Sequence, residues 1–340
     1  MVQRGSIAIL LCTSCTLAAC GGKSPTTPSS GSASLVQGQT LNVVTGAPSP
    51  GLTVYIGASR HATTDAQGMF SFDVDDPGPY STTVRGDGFV ERETRLRAAA
   101  DRARLPLIPA SFDLAAFDEM FRNVNSRLQR WVMPPSLVVL ATTMTFRSTG
   151  DDEFTAAGEQ MTDDEVSLMV AHMSEGLGLL TGNTFTSFAS VEVERPKSGD
   201  RVSVIRPGRI VVGRYTGIVT LANTIGYGRW SETSTGAIVS GAMFLDRDFD
   251  RGDARRRLLR IHELGHALGY QHVQSRTSIM NPAIGPEPTD FDRTGAIIAF
   301  QRPPGNRSPD RDPAAAVSMS APADAVGART SSGVVCRITG

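Results

Sequence analysis

Cysteine is scarce in this chain, four in 340 residues, and none falls between positions 21 and 335. That distribution excludes a disulfide framework across the body of the chain and a cysteine-ligated zinc site within it. Net charge is lacking too. Lys and Arg number 33 against 34 Asp and Glu, giving −1 and removing the electrostatic case for a nucleic-acid partner. Near the N-terminus the apolar run Ile7 to Leu11 is too short to cross a bilayer. What remains is ordinary for globular protein, 40% hydrophobic and 20% charged, with length enough for two domains.

Histidine is also rare, five in all, yet three stand in 261-IHELGHALGYQH-272. The segment 253–269 has no proline, and Leu258, Ile261, Leu264 and Leu268 recur at helical spacing, so an amphipathic helix with Asp253 as cap is expected. His262 and His266, four apart, share one face of it, about 6 Å between Cβ atoms, and can grip one metal ion. Glu263 is placed to reach a metal-activated water as general base. Gly269, having no Cβ, can turn the chain sharply and bring His272 round as third ligand. Three imidazoles with no cysteine nearby suit a catalytic zinc with an open fourth position. The implied reaction is peptide-bond hydrolysis, Glu263 taking the water's proton and passing it to the leaving amine. His61 and His172 have no partner pattern and read as structural.

These residues resemble the metzincin metalloproteases. His262, Glu263, His266, Gly269 and His272 fill every fixed position of H-E-x-x-H-x-x-G-x-x-H. In 278-SIMNP-282, Met280 lies eight residues after His272, similar to the methionine turn of the matrixin branch, and would form an apolar floor under the rings. The resemblance implies a mixed twisted sheet with an active-site helix. It also implies that 236–242 (Gly236, Ala237, Ile238, Val239, Ser240, Gly241, Ala242) forms the edge strand that pairs with an extended peptide substrate. Matrixins bind calcium, and Asp246, Asp248, Asp250 and Asp253 alternate in 246-DRDFDRGD-253, although interleaved arginines and a missing EF-hand pattern argue against Ca2+ there. Pro282 stands where the astacin and serralysin branches have a tyrosine, and no matrixin-type propeptide cysteine precedes the domain.

The start of the chain reads as a bacterial signal. Arg4 precedes the short apolar run, and 17-LAAC-20 resembles a lipobox, implying that Cys20 becomes the lipidated first residue. The expected location is the cell envelope, anchored in a membrane, with the outer membrane or cell surface favoured by Gly21 and Gly22. A plain secretory signal is the alternative. Cys12 and Cys15 would leave with the signal, and Cys336 would remain a free thiol.

The expected order is a lipoprotein signal at 1–20, a Gly, Ser and Pro-rich linker at 21–34, a β-sandwich at 35–108, a catalytic domain at 111–303 and a disordered tail at 304–340. The sandwich rests on short alternating runs broken by turn residues, and 46-GAPSPGLTVYIG-57 with 64-TDAQGMFSFDV-74 resembles the carboxypeptidase regulatory-like domain. In that reading Asp65 and Gly68 are turn formers. Leu114, Phe117, Phe121, Val124, Leu128 and Trp131 form a stripe predicting one helix over 111–131 with Ser111 as cap. Thr162 and Glu165 announce a capping box, 136–146 a buried strand, and Thr289 the cap of a closing helix. Arg255 to Arg257 with Arg260 read as a solvated helix face. The expected protein is a monomeric zinc endopeptidase acting on peptides or proteins. Its rival is a surface binding or adhesion protein on the same fold.

Overall fold

A computed structural model describes residues 34–220 and 224–314 of the chain. The expectations for the signal, the linker, Cys20 and Cys336 lie outside these residues.

The alternating runs form β1 (Ser34–Asn42), β2 (Thr53–Ile56), β3 (Arg60–Thr63), β4 (Met69–Val74), β5 (Tyr80–Arg85), β6 (Arg92–Leu96) and β7 (Ala103–Leu107). They make two sheets, ordered β4-β1-β7 and β3-β2-β5-β6. In β4 the period-2 pattern sends Phe70, Phe72 and Val74 inward, where they meet Val54, Ile56 and Val84 of the other sheet. The turn between β3 and β4 is the expected one: the Asp65 carboxylate accepts the Gln67 and Met69 amides at 2.9 and 2.8 Å, and Gly68 takes φ +72°.

The second unit is α+β. Its helix α1 (Leu114–Phe121) is shorter than the stripe predicts and is capped by Asp113, not Ser111. Asn125 and Ser126 sit at φ 56° and 49°, in the left-handed region that ends a helix, yet Leu128 and Trp131 are still buried from an extended segment beyond. An apolar stripe records burial, and here two different backbones supply it. Next come β8 (Ser136–Thr145), β9 (Glu153–Gln160), α2 (Asp163–Leu180), β10 (Val191–Glu194), β11 (Arg201–Ser203), β12 (Arg209–Thr216), β13 (Gly226–Glu232) and β14 (Ile238–Asp246). The capping box at the head of α2 is present, Thr162 with Glu165. The chain then forms α3 (Arg247–Gly252), α4 (Arg256–Ala267) and α5 (Asp290–Phe300), the last capped by Thr289.

These strands build one mixed sheet, ordered β11-β9-β8-β12-β14-β13, with β10 also on β8. β8, β12 and β14 run parallel, and β13 is antiparallel to β14. One face carries the helices over a core including Met169, Leu177, Ile261 and Leu264, while Phe154, Tyr215 and Phe244 fill the other.

Three expectations are corrected. The stretch Gly236 to Ala242 is no sheet edge: β14 lies between β12 and β13, and β13 ends the sheet. Arg260 is not solvated but 1% exposed, because it donates to Asp250 at 2.7 and 2.8 Å. The tail does not begin at 304. Asn306 and Asp310 are fully buried, held by arginines that a reading of composition cannot pair with them.

Candidate metal centre

Helix α4 is the spine of the site. It begins later than expected: Asp253 is the C-cap of α3, and its carboxylate accepts the Arg255 amide at 2.7 Å. The helix ends at Leu268, where Gly269 adopts φ +102° and the Tyr270 amide reaches back to the Gly265 carbonyl at 2.9 Å. A Cβ on Gly269 would lie 2.8 Å from the Gln129 carbonyl oxygen and 2.7 Å from Ile238, so the turn admits no other residue without displacement.

That turn brings His272 back to His262 and His266, and the ligand-type atoms of the three lie within 4.8 Å of one another. His262 donates from Nδ1 to the Ile279 carbonyl at 2.6 Å, and His266 from Nδ1 to the Tyr270 carbonyl at 2.8 Å. A carbonyl only accepts, so both rings carry their proton on Nδ1 and keep a lone pair on Nε2. A second proton is opposed by burial and by the neighbouring rings. Burial, with His272 alongside, holds His262 down at about 3; burial holds His272 at about 4 and drives His266 well below the ordinary range.

The His262 Nε2 therefore faces the His266 Nε2 at 3.0 Å and the His272 Nε2 at 3.2 Å. The His262 and His266 lone pairs, opposed at 3.0 Å, repel unless a cation lies between them. Tetrahedral zinc at its usual nitrogen distance would set ligand nitrogens about 3.3 Å apart, so these residues fit that ion.

Glu263 is fully buried, and neither of its carboxylate oxygens has a hydrogen-bond partner among the described residues. Burial pushes its carboxyl well above the usual range. An orphaned buried carboxyl costs about 1–3 kcal/mol or more, which points to a functional rather than a packing role. Met280 is fully buried beneath α4, close enough that a Cβ on Gly265 would lie 2.5 Å from its sulfur.

Gly226 and Gly228 of β13 carry no chemistry that sequence reading could flag. They alternate on the face toward α4, where added Cβ atoms would come within 2.7 Å of a Glu263 oxygen and 2.6 Å of the His266 Cβ. Asp292 was also missed. Its carboxylate accepts the Ile279 amide at 3.1 Å and the Ser278 hydroxyl, fixing the carbonyl that His262 uses. The signal was present in 289-TDFD-292, since a capping box needs an acceptor three residues after its threonine.

The acidic stretch after β14 does not converge on a cation. Asp246 caps α3, Asp248 pairs with Arg247, Asp253 with Arg255, and Asp250 is buried between Arg214 and Arg260. His172 lies 3.2 Å from Arg260, and His61 lies against the Tyr55 ring, both outside the triad.

A mixed sheet, a helix bearing two of three convergent histidines and a methionine-bearing turn beneath them make this part of the chain similar to the metzincin metallopeptidases. Residues 215–305 match the family profile described as Matrixin, and residues 36–106 match the carboxypeptidase regulatory-like domain. A search of curated proteins returned no match.

Proposed function

We propose that this chain is a zinc-dependent endopeptidase that hydrolyses peptide bonds and is held on a bacterial envelope membrane by lipid on Cys20. The observation that carries the reading is the pairing of two Nδ1-tethered histidines, their Nε2 lone pairs convergent with His272, with the buried, unpartnered carboxyl of Glu263. His262, His266 and His272 would hold the zinc, which supplies Lewis acidity toward a substrate carbonyl and lowers the pKa of water to about 7.

The protein's own residues do the rest. Glu263 accepts a proton from the attacking water at a carboxylate oxygen and carries it to the leaving amine. Burial raises that carboxyl's affinity for a proton. Gly269 sets the His272 turn, and Met280 fills the floor. The strand that ends the sheet, β13, is where an extended peptide would lie, because its glycines bring backbone against Glu263 and His266.

Zinc binding and cleavage of a peptide library by the full chain test this reading. Glu263→Ala should retain about one zinc and lose turnover by about 10²-fold or more. Undiminished cleavage by that variant refutes the role of Glu263, and zinc binding without cleavage by the unaltered chain favours the adhesion reading.

A further inference from the structure

His272 differs from the other two histidines in what holds it. His262 and His266 stand on a helix, whereas His272 stands in the loop that follows, and that loop is gripped by α1. The Gln271 amide donates to the Met120 carbonyl at 2.7 Å. The Gln274 amide donates to Glu119 at 2.7 Å, and the Ser275 amide and hydroxyl donate to the same carboxylate at 3.3 and 2.6 Å.

The end of α1 is held in turn by the segment 302–312. Arg122 donates to the Asn306 side chain, to the Pro309 carbonyl at 3.1 Å and to Asp118 at 2.6 Å. The same segment is fastened to the N-terminal sandwich. Arg92 of β6 donates to Asp310 at 3.1 Å and to Asp312 at 2.8 Å. Arg302 joins Asp310 at 2.7 Å and the Pro106 carbonyl of β7 at 2.8 Å. Beside them the backbone adds to the sheet: the Glu93 amide donates to the Asp310 carbonyl and the Asp312 amide to the Glu93 carbonyl, both at 2.9 Å. Val43 and Ile108 of the sandwich also join the catalytic core.

A spacer swinging free would not bury ion pairs. Arg92, Asp310 and Asp312 have side chains at most 5% exposed, and ions so desolvated need fixed partners. From these contacts we propose that the sandwich is part of the apparatus positioning His272, acting through the segment 302–312 and α1. The role in metal binding rests on the zinc reading above; the mechanical coupling does not.

Hydrogen exchange on the metal-free full chain tests the coupling, with Arg92→Leu and the milder Asp312→Asn compared to the unaltered protein. Zinc affinity by chelator competition follows on the same three. The expected result is faster exchange, by about tenfold or more, at the Glu93 and Asp312 amides and also at Gln271, Gln274 and Ser275, with zinc affinity lowered by about tenfold. Faster exchange at Glu93 and Asp312 with no change at 271–275 overturns the proposal, as does unchanged exchange at both places. Coupled exchange in a chain that binds no zinc would sink the peptidase reading and leave the mechanical link standing.

Discussion

Asp292 and His262 do not touch, yet one residue joins them: Ile279 gives its amide to the Asp292 carboxylate at 3.1 Å and its carbonyl to His262 Nδ1 at 2.6 Å. A carboxylate on α5 thereby fixes the tautomer and tilt of a ring on α4. Asp292→Ala should weaken zinc binding by about 10- to 100-fold, the usual effect of losing an outer partner of a ligating histidine. Chelator competition measures it, and unchanged affinity would show that the methionine turn holds its shape without Asp292.

Asp250 sits beneath the same helix with both oxygens taken by Arg214 and Arg260. Removing one member of a buried ionic group leaves the others desolvated and unpaired, at about 3–5 kcal/mol. Asp250→Ala should lower stability by that order in urea unfolding. A loss under about 1 kcal/mol would mean that water reaches the arginines.

Asp310 makes the sandwich contact sensitive to acid. Burial alone would raise its carboxyl, but Arg302 and Arg92 outweigh burial and hold it at about 2. A folded pKa below the unfolded one contributes stability that is complete above about pH 4 and is lost as pH falls through about 2. The stability difference between the unaltered chain and Asp310→Asn should therefore narrow as pH falls from about 4 to about 2. A difference that stays constant over this interval contradicts the assignment.

Gly226 is a steric requirement of the site. A methyl there would lie 2.7 Å from the Glu263 carboxylate, on a strand paired to β14 and unable to retreat freely. Gly226→Ala should cut peptide turnover by about tenfold or more while zinc remains bound, with about 1–3 kcal/mol of stability lost to overpacking. Equal activity would mean that Glu263 swings aside without consequence.

The histidine triad could be read from the chain because its geometry is local. A four-residue step on a helix and a glycine three residues later bring His262, His266 and His272 toward one point, although the contacts that hold the His272 loop come from α1. The support was less legible because it is remote in sequence. Asp310 meets an arginine 218 positions away, and Glu119 meets Gln274 across 155. Nothing in the residues of 302–312 distinguishes a buried polar strap from a solvated tail; only their partners do. Strand order failed for a related reason. The segment 238–246 is a mostly apolar run that is buried almost throughout, and whether such a strand lies inside the sheet depends on where β12 and β13 come to rest.

Zinc content of the full chain, determined by elemental analysis after zinc loading and removal of free metal, bears most directly on the triad. About one zinc per chain, lost on His266→Ala, is the result expected of three convergent imidazoles. A folded chain that retains none, or that retains the same amount after His266→Ala, would contradict it.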